Sequence, residues 1–237
     1  MPLLHGKAST VLIGAYNISD YCRQNTPAFQ KDIPDASTYG DTAREFAVEG
    51  LRSGSITLSG LVDTADDASD EQIQAAFEDT TAVKGLTVSP HASTAGNIAY
   101  LCVFWETDNN IDNPHDELLS FGGTFQADSG LKRGHWLQAL TAVTTTGDKT
   151  SVDAGAAWAA GGRANLHATA FSGTNCTIII KDSADDISFA AVTGLAFAQF
   201  TAITHESLSI ATAIRRYRLV NFAGTFTSVT AGVALGR

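Results

Sequence analysis

Two neighbouring segments with alternating apolar and polar residues constrain the fold of this chain more than any other feature. The first reads Ala43-Arg-Glu-Phe-Ala-Val-Glu-Gly-Leu and the second reads Ser55-Ile-Thr-Leu-Ser-Gly-Leu-Val-Asp. Period-two alternation is typical of a β-strand with one buried and one unburied face. The pattern predicts a hairpin whose two strands are joined by a short turn. Its polar face is expected to meet solvent, a lumen or another subunit, because nothing in the stretch is arranged for chemistry.

The same alternation recurs in a later segment, Glu117–Ala127, where Phe121 and Phe125 alternate with polar residues. Gly122 and Gly123 in its middle indicate a bulge or a close backbone approach. Taken together, the polar positions of the hairpin and of this segment form one predicted face, which we interpret as lumen-facing: Glu45, Glu49, Thr57, Ser59, Thr124 and Gln126.

A short amphipathic helix is predicted directly after the hairpin, over about 68–79. Ser69 is the expected N-cap, because Gln72 stands three residues later in the spacing of a capping box. Ile73, Ala76 and Phe77 make the expected apolar face. The acidic residues before the helix, from Asp63 to Glu71, complement the helix dipole better than they fit a calcium loop.

Two connecting regions organise the rest of the chain. Gln24–Asp41 contains two prolines and weak periodicity, which predicts a long loop with a role of its own. A domain boundary is predicted near Gly130–His135, which gives residues 1–135 and 136–237. About seven short strands are expected in the second part, with a helical turn at Ile187–Val192. The fold class is therefore mainly β: an N-terminal β-sandwich or barrel-forming domain with one helix, and a C-terminal antiparallel β-sandwich.

Charge supports this division. The chain has 237 residues and a net charge of -10. Residues 1–135 hold 8 Lys/Arg and 19 Asp/Glu, whereas residues 136–237 hold 7 and 6. An acidic first part is a poor binder of nucleic acid, because contacts to phosphate need cations. The three cysteines fit neither a zinc spacing nor a disulfide framework, which indicates folding in a reducing cytosol. No signal peptide or membrane span is expected.

The remaining polar clusters favour structural roles over chemistry. His205-Glu206 lacks the second histidine of a zinc helix and is expected in a surface loop. Asn113-Pro-His-Asp-Glu is expected to be a solvated turn, and Asp182-Ser-Ala-Asp-Asp another. Arg215-Arg-Tyr-Arg is the one basic cluster, and alternation would place Arg215 and Tyr217 on one face and Arg216 and Arg218 on the other. We predict no catalytic, cofactor-binding or metal-binding residue, and hence no enzyme.

The order of these elements resembles the major tail, or tail tube, proteins of long-tailed bacteriophages. The resemblance covers about residues 5–135. It begins with Gly6-Lys-Ala-Ser-Thr-Val-Leu-Ile and Ile18-Ser-Asp-Tyr and continues through the hairpin with its Gly50-Leu and Gly60-Leu. It ends with the helix and the stretch Ser120-Phe-Gly-Gly-Thr-Phe-Gln-Ala-Asp-Ser-Gly-Leu. The second part resembles virion-associated sandwich domains through Arg215-Arg-Tyr-Arg-Leu-Val and Phe226-Thr-Ser-Val.

The resemblance implies a structural virion protein whose copies form hexameric rings stacked into a tube. The genome would pass through a negatively charged lumen without specific binding, because carboxylates repel DNA. The Gln24–Asp41 loop would reach a neighbouring ring, with Gln30, Lys31, Asp32 and Asp35 as its contact residues. Implied partners are further copies of the chain and other tail proteins such as tape measure and terminator proteins, but no membrane. The protein would be located in the virion tail after assembly in the host cytoplasm.

Two alternatives stay open at the level of sequence. The first is a capsid-decorating or other tail-associated sandwich protein, which would be a monomer or trimer rather than a ring. The second is a carbohydrate-binding module that holds a sugar on Trp136 or Trp158. Burial of both tryptophans would remove the second alternative.

Overall fold

Antiparallel β-strands account for most of the described chain, and the predicted mainly-β fold with one helix is confirmed. A computed structural model describes residues 6–33, 35–39, 42–44, 52–81 and 84–237. A 3-10 turn at Gly6–Ala8 and one α-helix, α1 (Ser69–Phe77), accompany the strands. The strands are β1 (Thr10–Ile13), β2 (Tyr16–Asn17), β3 (Cys22–Lys31), β4 (Arg52–Leu61), β5 (Gly85–Ser89), β6 (Ile98–Asp112), β7 (Ser120–Val143), β8 (Gly147–Asp148), β9 (Val152–Asp153), β10 (Gly162–Ser183), β11 (Ala190–Ala196), β12 (Thr204–Ile210) and β13 (Tyr217–Gly236).

The strands belong to one 13-stranded sheet with β7 near its centre. One edge of β7 pairs with β6 over most of its length. The other edge pairs first with β4, from Ser120 to Gln126, and then with β13, from Gly134 onward. Asn165 of β10 donates a hydrogen bond to the Leu86 carbonyl of β5, although the two strands are not neighbours in the sheet. The sheet therefore folds over itself.

The predicted hairpin between Ala43–Leu51 and Ser55–Asp63 is corrected by the pairing of β4. β4 pairs with β3 on one edge and with β7 on the other, so both of its edges are occupied from Ser55 to Gly60. The first predicted arm lies largely outside the described residues. The predicted loop Gln24–Asp41 is wrong over its first part, since β3 continues to Lys31. A proline in the middle, Pro27, suits β3 because an edge strand does not need every backbone donor.

Several predicted strands join into longer ones through glycines. The predicted strands Arg163–Phe171 and Cys176–Lys181 are both part of β10, and Ile214–Asn221 and Thr225–Leu235 are largely part of β13. The pairing of β10 with β13 shifts register around Gly173, which has φ +155°. Likewise, Gly130–His135 is not a turn but part of β7, which bends where Ser129 and Gly130 have positive φ. The helical turn predicted at Ile187–Val192 is wrong, because β11 occupies part of it.

The N-cap of helix α1 lies one residue earlier than the predicted Ser69. Ala68 is the N-cap and makes no side-chain capping bond. The Ser69 hydroxyl instead donates to the Leu61 carbonyl and accepts from the Asp63 backbone N–H, which fixes the loop before the helix. Glu71 accepts from the Asp67 N–H at 2.8 Å, as expected of acidic residues in a first turn. Ile73 and Ala76 are buried as predicted, whereas Phe77 is exposed.

Buried apolar residues form two large clusters. One contains residues between Val11 and Leu131, and the other contains residues between Leu137 and Leu235. A smaller cluster around Trp136 lies between them and includes Leu12, Leu101 and Ala234. The division into residues 1–135 and 136–237 stays a prediction, since β7 runs through position 135 without interruption. At nine residues, the one α-helix of the described ranges is too short to cross a membrane.

Candidate assembly surfaces

Four of the six residues predicted to be lumen-facing lie together on one side of the sheet. Thr57 of β4 stands opposite Thr124 of β7, and Ser55 stands opposite Gln126. Their neighbours in sequence, Ile56 and Phe125, point to the other side and are fully buried. Thr57, Ser59, Thr124 and Gln126 therefore lie on the side of the sheet opposite Ile56 and Phe125, and a lumen on that side stays a prediction. Glu45 and Glu49 lie outside the described residues.

The structure adds two neighbouring strands to this side of the sheet. On β3, Thr26 stands opposite Thr57 and Gln24 stands opposite Ser59. On β6, Asp108 stands opposite Thr124, and Asn110 and Asp112 follow at alternate positions. We call this surface the polar face, and it comprises Gln24, Thr26, Ser55, Thr57, Ser59, Asp108, Asn110, Asp112, Thr124 and Gln126. Hydroxyl, amide and carboxylate groups line it, and none of these ten side chains is a cation.

The carboxylates of Asp108 and Asp112 were missed because β6 was predicted to end at Glu106. A bulge between Glu106 and Asp108 shifts the register there. Alternation on either side of this bulge is out of phase, so a strict period-two pattern breaks in the sequence. A run of polar residues after an apolar strand, Thr107–Asn110, was the available signal.

Both borders of the polar face lack a strand partner among the described residues. β3 pairs only with β4, and its other edge pairs with no described strand. Beyond Val103, the outer edge of β6 likewise has no strand beside it, although helix α1 lies close and Gln74 accepts a hydrogen bond from Asn109. Unpaired edges expose backbone donors and acceptors that readily pair with another chain. Within the described ranges, no strand continues the four-stranded section at either side.

The residues predicted to contact a neighbouring ring lie at one end of this section. Gln30 and Lys31 are the last residues of β3 and pair with Ser53 and Arg52. Asp32 and Asp35 follow, and both are exposed. Asp35 accepts hydrogen bonds from the Ser37 hydroxyl and backbone N–H, which lower the pKa of its carboxyl. Their contact with another ring is not tested by a single chain and stays a prediction.

Glu106 is a buried carboxyl on the core side of β6. Its side chain makes no hydrogen bond to any described atom, and only 9% of the residue is exposed. Burial raises the pKa of Glu106 to about 8, Lys84 opposes the rise, and Asp108 adds to it. The carboxyl is therefore largely protonated at neutral pH. It lies 3.0 Å from the position that a Cβ atom would take at Gly123, so the glycine makes room for it.

A second buried polar group connects the first part of the chain to the second. His167 Nδ1 faces the Gly14 carbonyl at 2.6 Å, which requires that this nitrogen carry the proton. His167 Nε2 then accepts from the Thr87 hydroxyl at 2.7 Å. Asn165 donates to Thr87 at 3.1 Å and accepts from Ser207 at 2.8 Å. Burial lowers the pKa of His167 to about 4, so the ring is neutral.

The basic cluster at Arg215–Arg218 is divided differently from the predicted alternation. Arg216 is on the surface and forms a bidentate ion pair with Asp153. Arg218 is buried over the Trp158 ring at 3.6 Å and donates to the Arg215 carbonyl at 2.8 Å. β13 begins only at Tyr217, so alternation does not extend back across the cluster. His205-Glu206, expected in a surface loop, belongs to β12.

Two further expectations bear on binding. Trp136 and Trp158 are 0% and 4% exposed, which removes the sugar-binding alternative that required one of these rings. The loop with His115, Asp116 and Glu117 is exposed, as predicted for a solvated turn. Across the described ranges, no group of three or more His, Cys, Asp or Glu side chains is placed to hold a metal ion.

Comparison with known proteins gives partial likenesses. No protein-family model matches the chain, and no curated protein is significantly similar to it. A structure titled as the virion of a native gene transfer agent particle aligns with a TM-score of 0.43 and 21% identity, over 55% of this chain and 98% of the other. The SPP1 Dit protein, titled a paradigm of hub adsorption apparatus in phages infecting Gram-positive hosts, aligns with a TM-score of 0.41 and 12% identity over 97% of this chain and 98% of the other. A tube-terminating cap of the anti-feeding prophage aligns with a TM-score of 0.42 and 18% identity, over 57% and 93%. Similarity this weak assigns the chain to no family.

Proposed function

We propose that the protein is a structural component of a phage-like tail, and that residues 1–135 form stacked, hexameric rings around a DNA-conducting lumen. The single observation that supports this most is the polar face, whose two bordering strands have no strand partner among the described residues. Residues 136–237 would form an outer domain on the same ring.

The width of the polar face agrees with a ring of this kind. Four antiparallel strands, β3, β4, β7 and β6, span it. Six copies joined edge to edge would close a barrel roughly 37 Å across at the backbone, given a strand spacing of about 4.8 Å. Such a bore admits a DNA duplex. Closure would also remove the open edges, which an isolated domain would otherwise have to protect.

The chemistry of the polar face suits a surface that DNA passes without binding. Affinity for nucleic acid comes mainly from cations that neutralise phosphates. The ten polar-face side chains include two carboxylates, Asp108 and Asp112, and no lysine or arginine. Lys31 and Arg52 stand opposite each other on β3 and β4 at the end of this section. By strand alternation they belong to the side of the sheet opposite the polar face. Glu45 and Glu49 remain part of the proposed lumen lining.

Electron microscopy of the purified full-length chain tests the proposal. We expect rings, or tubes of stacked rings, with a central channel, and sedimentation as a species far larger than the 24.8 kDa protomer. Other tail proteins, such as tape measure and terminator proteins, would then be expected as partners at the lumen and at the tube end. A monomer or trimer at all concentrations would instead support a decorating or other tail-associated role and would reject the ring.

A further inference from the structure

A basic notch interrupts the sheet where β7 changes partners. Regular pairing of β7 with β4 ends at Gln126, and pairing with β13 begins at Gly134. Between these points lies an open cavity of about 340 Å³. Four cations line it, together with the apolar side chains of Phe29 and Leu131: Lys31, Arg52, Lys132 and Arg237. This concentration of positive charge is unusual in a chain with a net charge of -10.

The end of β6 and the loop that follows it have the complementary chemistry. We call Ile111–Leu118 the hairpin tip. Beyond Asp112, the last residue of the polar face, it carries two exposed carboxylates, Asp116 and Glu117. It also exposes two large apolar side chains, since Ile111 is 53% and Leu118 is 66% exposed. Side chains this exposed add little to the protomer's own core and can be buried against another surface.

The hairpin tip cannot reach the notch of its own chain. Both lie along β7, at opposite ends of the section that carries the polar face. Leu118 and Gly130 are 12 residues apart, which corresponds to roughly 40 Å of extended strand. A second copy of the chain can supply this complementary charge. Because the two surfaces differ, the contact is head-to-tail, and a head-to-tail contact directed along the strands repeats as a filament.

We propose that the hairpin tip of one copy inserts into the basic notch of a copy in the next ring. This contact would stack the rings, and it rests on the ring-forming function proposed above. The carboxylates of the tip would face the four cations, while Leu118 packs against the apolar wall formed by Phe29 and Leu131. Charge pairing would fix the register of the contact, and apolar burial would retain it. Gln30 and Lys31, predicted at the sequence level to contact a neighbouring ring, lie at the notch.

Charge reversal on each surface tests the contact. Lys132→Glu and Glu117→Lys are purified as separate full-length proteins and imaged beside the unaltered chain. Each variant alone is expected to form rings but few tubes, with at least about a tenfold fall in the tube fraction, because the contact repeats around each ring. Mixing the two variants is expected to restore tubes, since the lysine introduced at position 117 of one variant then meets the glutamate introduced at position 132 of the other.

One control variant and one further test variant make the outcome decisive. Arg215→Glu reverses an exposed cation away from the notch and should leave tubes unchanged, and Leu118→Ser should shorten tubes without changing the thermal unfolding midpoint. Tubes that persist in Lys132→Glu would overturn the inference while leaving the ring proposal intact. If Lys132→Glu no longer binds a DNA oligonucleotide but still stacks into tubes, the notch is an anion-binding site. That result would also overturn the inference. Absence of rings in the unaltered chain would reject the proposed function itself.

Discussion

At the scale of single residues, buried titratable groups make the stability of this protein depend on pH. Glu106 and His167 are both held uncharged inside the fold, one as a protonated acid and the other as a neutral base. Each is buried because its strand position places it in the core. Their pKa values are displaced in opposite directions, so they act on stability with opposite signs.

The pH dependence due to Glu106 is expected between pH 4.5 and pH 8. In the folded chain its pKa is about 8, against 4.5 ordinarily, so the folded state binds the extra proton between these values. Stability must then fall as pH rises through this window. From pH 6.5 to pH 8 we expect a loss of about 1.5 kcal/mol in the free energy of unfolding. Glu106→Gln should lack this loss, as measured by urea unfolding at several pH values. Parallel profiles for both proteins would contradict it.

The contribution of His167 to the free energy of unfolding is expected to change in the opposite direction, with a loss in acid. Its pKa is about 4 in the folded chain and 6.5 ordinarily, so the unfolded chain binds the extra proton between these values. Stability due to this group is present above pH 6.5 and is lost as pH falls towards 4. The loss should reach about 2–3 kcal/mol. His167→Gln should lack this loss of stability in acid. The difference between the unfolding curves of the variant and the unaltered chain separates the histidine from the carboxylates that titrate in the same range.

At the scale of elements, glycines allow long strands to continue through a bend where the chain would otherwise end one strand and begin another. In the long pairing of β10 with β13, Gly224 has φ +126°, and a Cβ atom there would lie 2.5 Å from the Asn175 carbonyl oxygen. In sequence such glycines indicate turns, and the prediction accordingly divided each of these strands in two. Local propensity cannot distinguish a turn from a bulge, because only the partner strand determines which one forms.

Substitution of Gly224 should therefore be costly. Gly224→Ala forces a left-handed backbone onto a residue with a Cβ atom and creates a clash with Asn175, and we expect a loss of about 2–3 kcal/mol. Gly122→Ala is the matched control, since nothing lies within 4 Å of its Cβ position and its φ is unremarkable for a strand. Thermal unfolding should show a lower midpoint for the first variant alone. Equal midpoints would mean that the bulge relaxes freely.

At the scale of the whole molecule, the polar face gives a test that depends on assembly. Thr57→Lys together with Thr124→Lys places two cations on paired positions of this face. If the face lines a lumen, rings should still form, and assembled tubes should retain DNA that the unaltered tubes release. We expect at least a tenfold gain in affinity at low salt, reversed by added salt. Thr193→Lys on exposed β11 is the control. A gain equal to that control would mean that the face points outward.

The sequence by itself determined the mainly-β class, the helix after the alternating segments and the alternation of Thr57 and Thr124 with buried Ile56 and Phe125. These features follow from local periodicity, which is set by backbone geometry alone. Only the tertiary structure decided which strands pair. β4 takes β3 and β7 as neighbours, β6 brings Asp108 and Asp112 to the polar face, and the basic notch forms where β7 changes partners. Pairing over such separations depends on burial of a shared core and on register, and neither is encoded within one segment.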